Sequence, residues 1–233
     1  MAAQSRKKWD IDHSVAVGPQ LFRILRERII SGDVLPGTRL TESEIALSYS
    51  VSRQPAREAF IKLAEDGLLD VRPQRGSFVK KISVAAVMDA RFIREAIEAD
   101  VVKLLASEPV SGLSDVLSEQ IADQKRAAAR NDPAGFIELD EHFHRTLAEA
   151  AGKIHAWQVL EDLKAQMDRV RYLSVRQFPM HKLVAQHAAV ADAVCSGNAE
   201  AAENRIRTHL REILTDLPEI ARAMPEHFEQ VPE

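Results

Sequence analysis

From residue 17 onward, apolar side chains recur every three to four positions with charged and small residues between them, and the breaks fall at glycine and proline. In "GPQLFRILRERIISG", Leu21, Leu25 and Ile29 repeat at four-residue spacing around Arg23, Arg26 and Arg28, which predicts a helix that Gly32 ends. A Pro36-Gly37 turn leads to a short extended "TRL". The second helix starts in "TESEIALSY", where Thr41 and Glu44 have the spacing of a capping box, each side chain bonding the other's backbone N–H. After "SYSVS" a third helix runs "RQPAREAFIKLAED". Ser52 can cap it, Pro55 falls in its first turn where a missing N–H costs little, and Ala56, Phe60 and Leu63 give it a core face. Gly67 stops this helix, and "LLDV" and "SFVKKI" then alternate like two strands joined by "RPQRG".

The helical period returns at residue 84 and is not lost again. Val87, Ala90, Ile93 or Arg94, Ile97 and Val101 form the first stripe, and breaks follow at Pro109 and Gly112, Asn131-Asp132-Pro133, Gly152, Pro179, Gly197 and Pro218. Six helices with short polar connections predict an antiparallel bundle. The fold class is therefore mainly α: an N-terminal winged helix-turn-helix domain followed by an all-α antiparallel helical bundle. The expected division is a disordered leader over 1–16, the winged domain over 17–82, the bundle over 84–222 and a loose tail over 223–233.

Charge sharpens this division. Residues 1–82 hold 14 Lys/Arg against 10 Asp/Glu, and the rest holds 17 against 25. A basic front and an acidic back suit modules with different partners. The single cysteine, Cys195, leaves no disulfide framework and no thiolate zinc site, and fits a reducing cytoplasm. No apolar run reaches the ~20 residues of a membrane span, and the first residues lack the apolar stretch of a signal peptide.

In a winged helix-turn-helix the third helix enters the DNA major groove by its N-terminal end. Here that end carries Arg53, Gln54 and Arg57. A guanidinium can grip guanine bidentately or clamp a phosphate, and Gln54 can reach adenine or a phosphate. The hairpin tip adds Arg72, Gln74, Arg75 and Gly76, a basic turn able to approach the minor groove or the backbone.

The ordered set "GDVLPGTRL" (32–40), "ESEIA" (42–46), "VSRQPAREA" (51–59), "LAEDGLL" (63–69) and "RGSFV" (75–79) resembles the N-terminal domain of the GntR family of bacterial transcription regulators. The resemblance implies that Arg53, Arg57 and the wing tip contact double-stranded, pseudo-palindromic operator DNA. Gln54 stands where threonine is usual, Ala56 where a larger aliphatic is usual, and Ser43 where some members carry a base-contacting arginine.

In the second module, "ELDEHFHRTLAEAAG" places Asp140 and His144 four apart, on one side of a helix. His187 and His209 each sit mid-helix among apolar neighbours, where an imidazole usually has a buried partner. Three helices could bring all four residues to the bundle axis, and imidazole plus carboxylate suits Zn²⁺, Ni²⁺, Mn²⁺ or Fe²⁺. A satisfied core histidine is the competing reading for each.

"REAIE" (94–98), "DEHFHRTL" (140–147), "QHAAVADAVCSGNAEAA" (186–202) and "RTHL" (207–210) resemble the FCD ligand-binding domain of the FadR-like branch of that family. The resemblance implies a divalent ion, zinc first, on Asp140, His144, His187 and His209, and a small carboxylate effector on Arg94. Lys153 departs from the asparagine that often follows the turn at Gly152. The expected function is a cytoplasmic homodimeric repressor whose operator affinity follows that effector. A metal-dependent hydrolase or hydratase with an appended helix-turn-helix is the alternative, with Glu98 and Glu141 as possible bases. A metal-free bundle with an arginine-held ligand is a third reading.

Overall fold

The computed structural model describes residues 9–229, which fall into two compact units. Of the described residues, the first unit contains 9–82 together with 226–229, and the second runs from Ser83 to Pro225.

In the first unit, α1 (Val17–Ile30) buries Leu21, Leu25 and Ile29 against α3 (Arg53–Glu65), which supplies Ala56, Phe60 and Leu63. Between them lies α2 (Glu42–Ser48). The Thr41 hydroxyl oxygen accepts the Glu44 N–H at 3.2 Å, as expected, but the Glu44 carboxylate accepts from the Thr41 hydroxyl rather than from its backbone N–H. Ser52 stands at the N-cap of α3 without a side-chain capping bond. The hairpin gains a third strand. Strands β1 (Arg39–Leu40), β2 (Leu69–Arg72) and β3 (Gly76–Val79) form an antiparallel sheet in the order β1-β3-β2. Gly76 takes φ +98°, and a Cβ there would lie 2.9 Å from Arg39 Nε, so the crossing of wing and β1 requires glycine.

Two terminal expectations change. Residues 1–8 of the expected leader lie outside the described residues. Within 9–16, the Asp12 N–H donates to Gln20 Oε1 at 2.9 Å, and Gln20 Nε2 returns a bond to the Asp12 carbonyl, so this stretch is tied to α1. The tail is not loose over its described part. Phe228 is buried, Ile82 pairs with it in a parallel bridge, and the Ile82 N–H donates to the His227 carbonyl at 2.8 Å. An aromatic ring taken out of water is the physical reason, worth about 1.5–3 kcal/mol. Residues 230–233 lie outside the described residues.

The second unit has eight helices among the described residues, not six. They are α4 (Val84–Ser107), α5 (Leu113–Ala129), α6 (Pro133–Ala150), α7 (Ile154–Leu163), α8 (Ala165–Gln177), α9 (Met180–Cys195), α10 (Ala199–Leu210) and α11 (Glu212–Ala223). The expected fourth helix breaks at Lys164, whose buried ammonium bonds Asp168 at 2.7 Å and Glu141 at 2.8 Å. The expected sixth breaks at Arg211, and α11 then continues through Pro218 because Leu217 and Ile220 are buried on either side of it. Asp132 and Asn198 cap α6 and α10 through their side chains. Helices α4, α6, α9 and α10 surround the bundle interior, and the polar side chains buried there make up the site. No helix of the described residues is long and apolar enough to cross a membrane.

Candidate metal centre and nucleic-acid interface

The four residues singled out by sequence converge. Asp140 and His144 project from α6, His187 from α9 and His209 from α10, all are buried, and one ligand atom from each lies within 4.8 Å of the others. His144 Nε2 and His187 Nε2 are each 3.1 Å from His209 Nε2. Asp140 Oδ1 lies 3.5 Å from His187 Nε2, and Oδ2 lies 3.9 Å from His144 Nε2. Phe143, one residue from His144, stacks on the His187 ring at 4.5 Å and fixes its plane. His142 is exposed and outside the cluster.

The outward nitrogens fix the tautomers. His144 Nδ1 meets Glu98 Oε2 at 2.5 Å, His187 Nδ1 meets Gln124 Oε1 at 2.7 Å, and His209 Nδ1 meets Gln186 Oε1 at 2.9 Å. Neither glutamine is free to turn over. Gln124 Nε2 donates to the Leu139 carbonyl at 3.4 Å, and Gln186 Nε2 donates to Glu212 Oε2 at 2.9 Å. Each partner is therefore an acceptor, each Nδ1 carries the proton, and each Nε2 presents a lone pair to the same point. Bare nitrogens at this separation repel unless a cation lies between them. Ligands about 2.0–2.1 Å from one zinc ion stand about 3.0–3.4 Å apart, so the donor set fits a divalent metal.

Electrostatics agree. Burial pushes His187 well below its ordinary value, and the neighbouring His144, Arg171 and Arg94 push in the same direction. Burial followed by His187 and His144 does the same to His209. His144 is lowered by burial although Glu98 opposes it. Neutral imidazoles are the form that binds metal. Burial would raise the Glu98 carboxyl, but Arg94 and His144 outweigh it and hold it at about 2. Such a carboxylate orients His144 and is a poor general base. Glu141, the other acid considered for that task, pairs with Lys164 and Arg171.

Arg94 is buried on α4 and its Nε donates to Glu98, linking it through that carboxylate to His144. Its Nη2 is buried without a hydrogen-bond partner among the described residues. A second arginine, Arg171 on α8, pairs with Asp140 and was not singled out by sequence. Burial and then repulsion from Arg94 bring its guanidinium down to about 9. Met167 and Val175, four residues to either side on the same helix face, are apolar and buried, and a cation in that stripe was the available signal. Gln124 and Gln186 carry no such signal, because their role depends on contacts 63 and 23 residues away.

In the first unit, Arg53, Gln54 and Arg57 are exposed at the start of α3, and Arg72 and Arg75 are exposed around the hairpin tip. Arg53 lies 3.7 Å from Glu42, Gln54 donates to Glu58 at 3.0 Å, and Arg72 donates to Asp70 at 2.7 Å and lies over the Phe78 ring. The Arg75 carbonyl accepts from Arg39 Nε at 3.0 Å, which holds the wing tip against β1.

Residues 19–79 match the bacterial regulatory proteins of the gntR family, and residues 89–212 match the FCD domain. The HTH-type transcriptional repressor RspR of Escherichia coli K12 is 40% identical over 215 residues, covering 92% of this chain and 94% of that protein. The structure of a GntR transcriptional regulator from Rhodococcus sp. RHA1 superposes with a TM-score of 0.73 at 26% identity, covering 86% of this chain and 97% of that one. The structure of Escherichia coli McbR/YncC superposes with a TM-score of 0.76 at 17% identity, covering 88% and 98%, which shows a common fold.

Proposed function

The chain belongs to the gntR family of bacterial regulatory proteins and carries an FCD domain, and on that premise we propose that it is a homodimeric repressor whose grip on operator DNA is set by a small carboxylate bound at a divalent-metal site. One observation carries the reading: three imidazole Nε2 atoms and the Asp140 carboxylate converge in the bundle interior beside the buried Arg94. Asp140, His144, His187 and His209 would hold the ion, and zinc is assigned because three imidazoles and one carboxylate without thiolate suit it. Bound there, the ion supplies a Lewis-acidic position for one carboxylate oxygen, and Arg94 supplies the opposing hydrogen bonds. Arg53, Gln54 and Arg57 would read the major groove, with Arg72, Arg75 and Gly76 on the wing against the backbone or minor groove. A pair of such domains matches two half-sites of a pseudo-palindrome. The effector acts through its different affinity for the DNA-bound and released arrangements.

The hydrolase or hydratase alternative loses its ground, since the relatives are transcription regulators. An electrophoretic mobility assay on DNA from upstream of the chain's own gene tests the proposal. The zinc-loaded protein is expected to bind at about 10 nM or tighter, and at least one small carboxylate is expected to release it. DNA binding that no carboxylate alters would overturn the effector half, and no binding would overturn the whole.

Glu98 is a positioning residue in this scheme. Glu98→Gln keeps the shape and removes the charge that fixes the His144 tautomer. Metal affinity is expected to fall about 10- to 100-fold, read by competition with a chromophoric chelator. An unchanged affinity would mean that Glu98 serves Arg94 alone.

A further inference from the structure

The sheet of the winged unit has a buried face and an outward face, and its register assigns each side chain to one of them. Leu69, Ser77 and Val79 are buried, with Leu69 directly opposite Val79. Successive residues of a strand point to opposite sides, so Phe78 stands on the outward face. Arg39 on β1 and Asp70 on β2 are its direct neighbours across the sheet, and Arg72, two residues from Asp70, shares their side. Phe78 is half-buried, and the Arg72 guanidinium lies 4.7 Å from its ring centroid. The outer face of the wing is thus an aromatic ring set between two arginines.

The charges on that face do not balance. Asp70 is the only acid in the three strands, and Arg72 donates to it at 2.7 Å. Arg39 is exposed, and no carboxylate lies within ion-pair distance of it among the described residues. It is nevertheless held in place. Its Nε donates to the Arg75 carbonyl at 3.0 Å, and Gly76 leaves room for this, since a Cβ there would lie 2.9 Å from Nε. The bond uses one of the five guanidinium N–H groups and leaves those on the two Nη atoms. A guanidinium fixed in this way loses little further freedom when its outer edge meets an anion. Beside the basic tip of the wing, the anion that fits is a backbone phosphate, which the two Nη atoms can grip bidentately.

We propose that Arg39 is a further DNA-contacting residue, tying the wing tip to β1 through Nε and gripping a backbone phosphate through its Nη edge. This rests on the operator-binding reading above and adds a residue that lies outside α3 and the hairpin tip. The contact strengthens binding to any sequence and carries no base preference of its own.

Two variants separate the two tasks of the side chain. Arg39→Gln places an amide nitrogen where Nε stood, so the bond to Arg75 can persist while the charge and the Nη edge are lost. Arg39→Lys keeps the charge and loses Nε. Fluorescence anisotropy of the full-length, zinc-loaded protein reads both, on DNA from upstream of the chain's own gene and on an unrelated duplex, between about 50 and 200 mM salt. Arg39→Gln is expected to weaken binding to both duplexes about tenfold and to lower the slope of log affinity against log salt by about 0.9. Its melting temperature and zinc content are expected to stay native, because the residue is exposed. Arg39→Lys is expected to keep the native slope. The same loss of slope is expected when Arg39→Gln is made in an Arg75→Ala background, since the contact does not pass through Arg75. A native slope in Arg39→Gln would overturn the proposal and leave Arg39 as a wing tie alone, with the operator reading intact. A slope lost equally in the Gln and Lys variants, or no further loss in the Arg75→Ala background, would overturn it too. If the native protein binds neither duplex, both readings fall.

Discussion

Zinc added to chelator-stripped protein is expected to raise its melting temperature by about 10 °C, and His187→Ala is expected to abolish the shift. The size follows from linkage. An ion at a thousand times its dissociation constant stabilises the native state by about 4 kcal/mol, and for a domain of this size each kcal/mol moves the midpoint by about 2–4 °C. His187 is the informative position because its Nδ1 is committed to Gln124 and its Nε2 faces His209 at 3.1 Å. Its loss removes one of four donors and one arm of the converging lone pairs. Truncating a buried ring also opens a cavity under Phe143, so each variant is compared with itself, with and without zinc. His142→Ala provides the control: that imidazole is exposed on the same helix and is expected to leave both metal content and shift unchanged. Metal analysis of protein purified without a polyhistidine tag gives a second readout, with close to one equivalent expected for the native chain and under about a tenth for His187→Ala. A full zinc shift in His187→Ala would sink the assignment.

What is legible in the sequence follows the range of the interaction. Asp140 and His144 can be paired because four residues is one helical turn, and the apolar faces of α1 and α3 can be read for the same reason. The convergence of α6, α9 and α10 cannot be derived from spacing, and there the family resemblance supplies the grouping that the structure brings within 4.8 Å. Arg171, Gln124 and Gln186 escape a sequence reading because each acts across helices. The break at Lys164 is hidden for a related reason: no glycine or proline marks it, and a buried lysine held by Asp168 and Glu141 compensates for the interrupted helix. The short extended "TRL" after the Pro36-Gly37 turn is legible and becomes β1, but two residues are too few for alternation to show that it joins the hairpin by pairing with β3. Phe228 lies in a polar tail, and only its pairing with Ile82 distinguishes it from a frayed end.

The second large effect is expected at the other unit. Arg53→Ala with Arg57→Ala should weaken operator binding by about 100-fold or more, because each bidentate base contact contributes about 1–3 kcal/mol of discrimination. Both guanidiniums are exposed on the first turns of α3, and Arg53 has only a long 3.7 Å approach to Glu42 to give up. Folding should therefore be nearly untouched, within about 0.5 kcal/mol per site, and zinc content should remain that of the native chain. Salt titration separates what each arginine does. Removing an arginine that grips a phosphate lowers the slope of log affinity against log salt by about 0.9 and weakens all sequences alike. Removing one that reads a base leaves the slope in place and erases preference at one position of each half-site. Gln54→Ala should have the smaller effect, since its amide must first leave Glu58, to which it donates at 3.0 Å. Arg75→Ala, on the wing, is expected to alter the salt slope rather than sequence preference. Operator affinity within threefold of native for the double variant would move the DNA-reading surface away from the N-terminal end of α3, and the wing arginines would then have to carry the recognition.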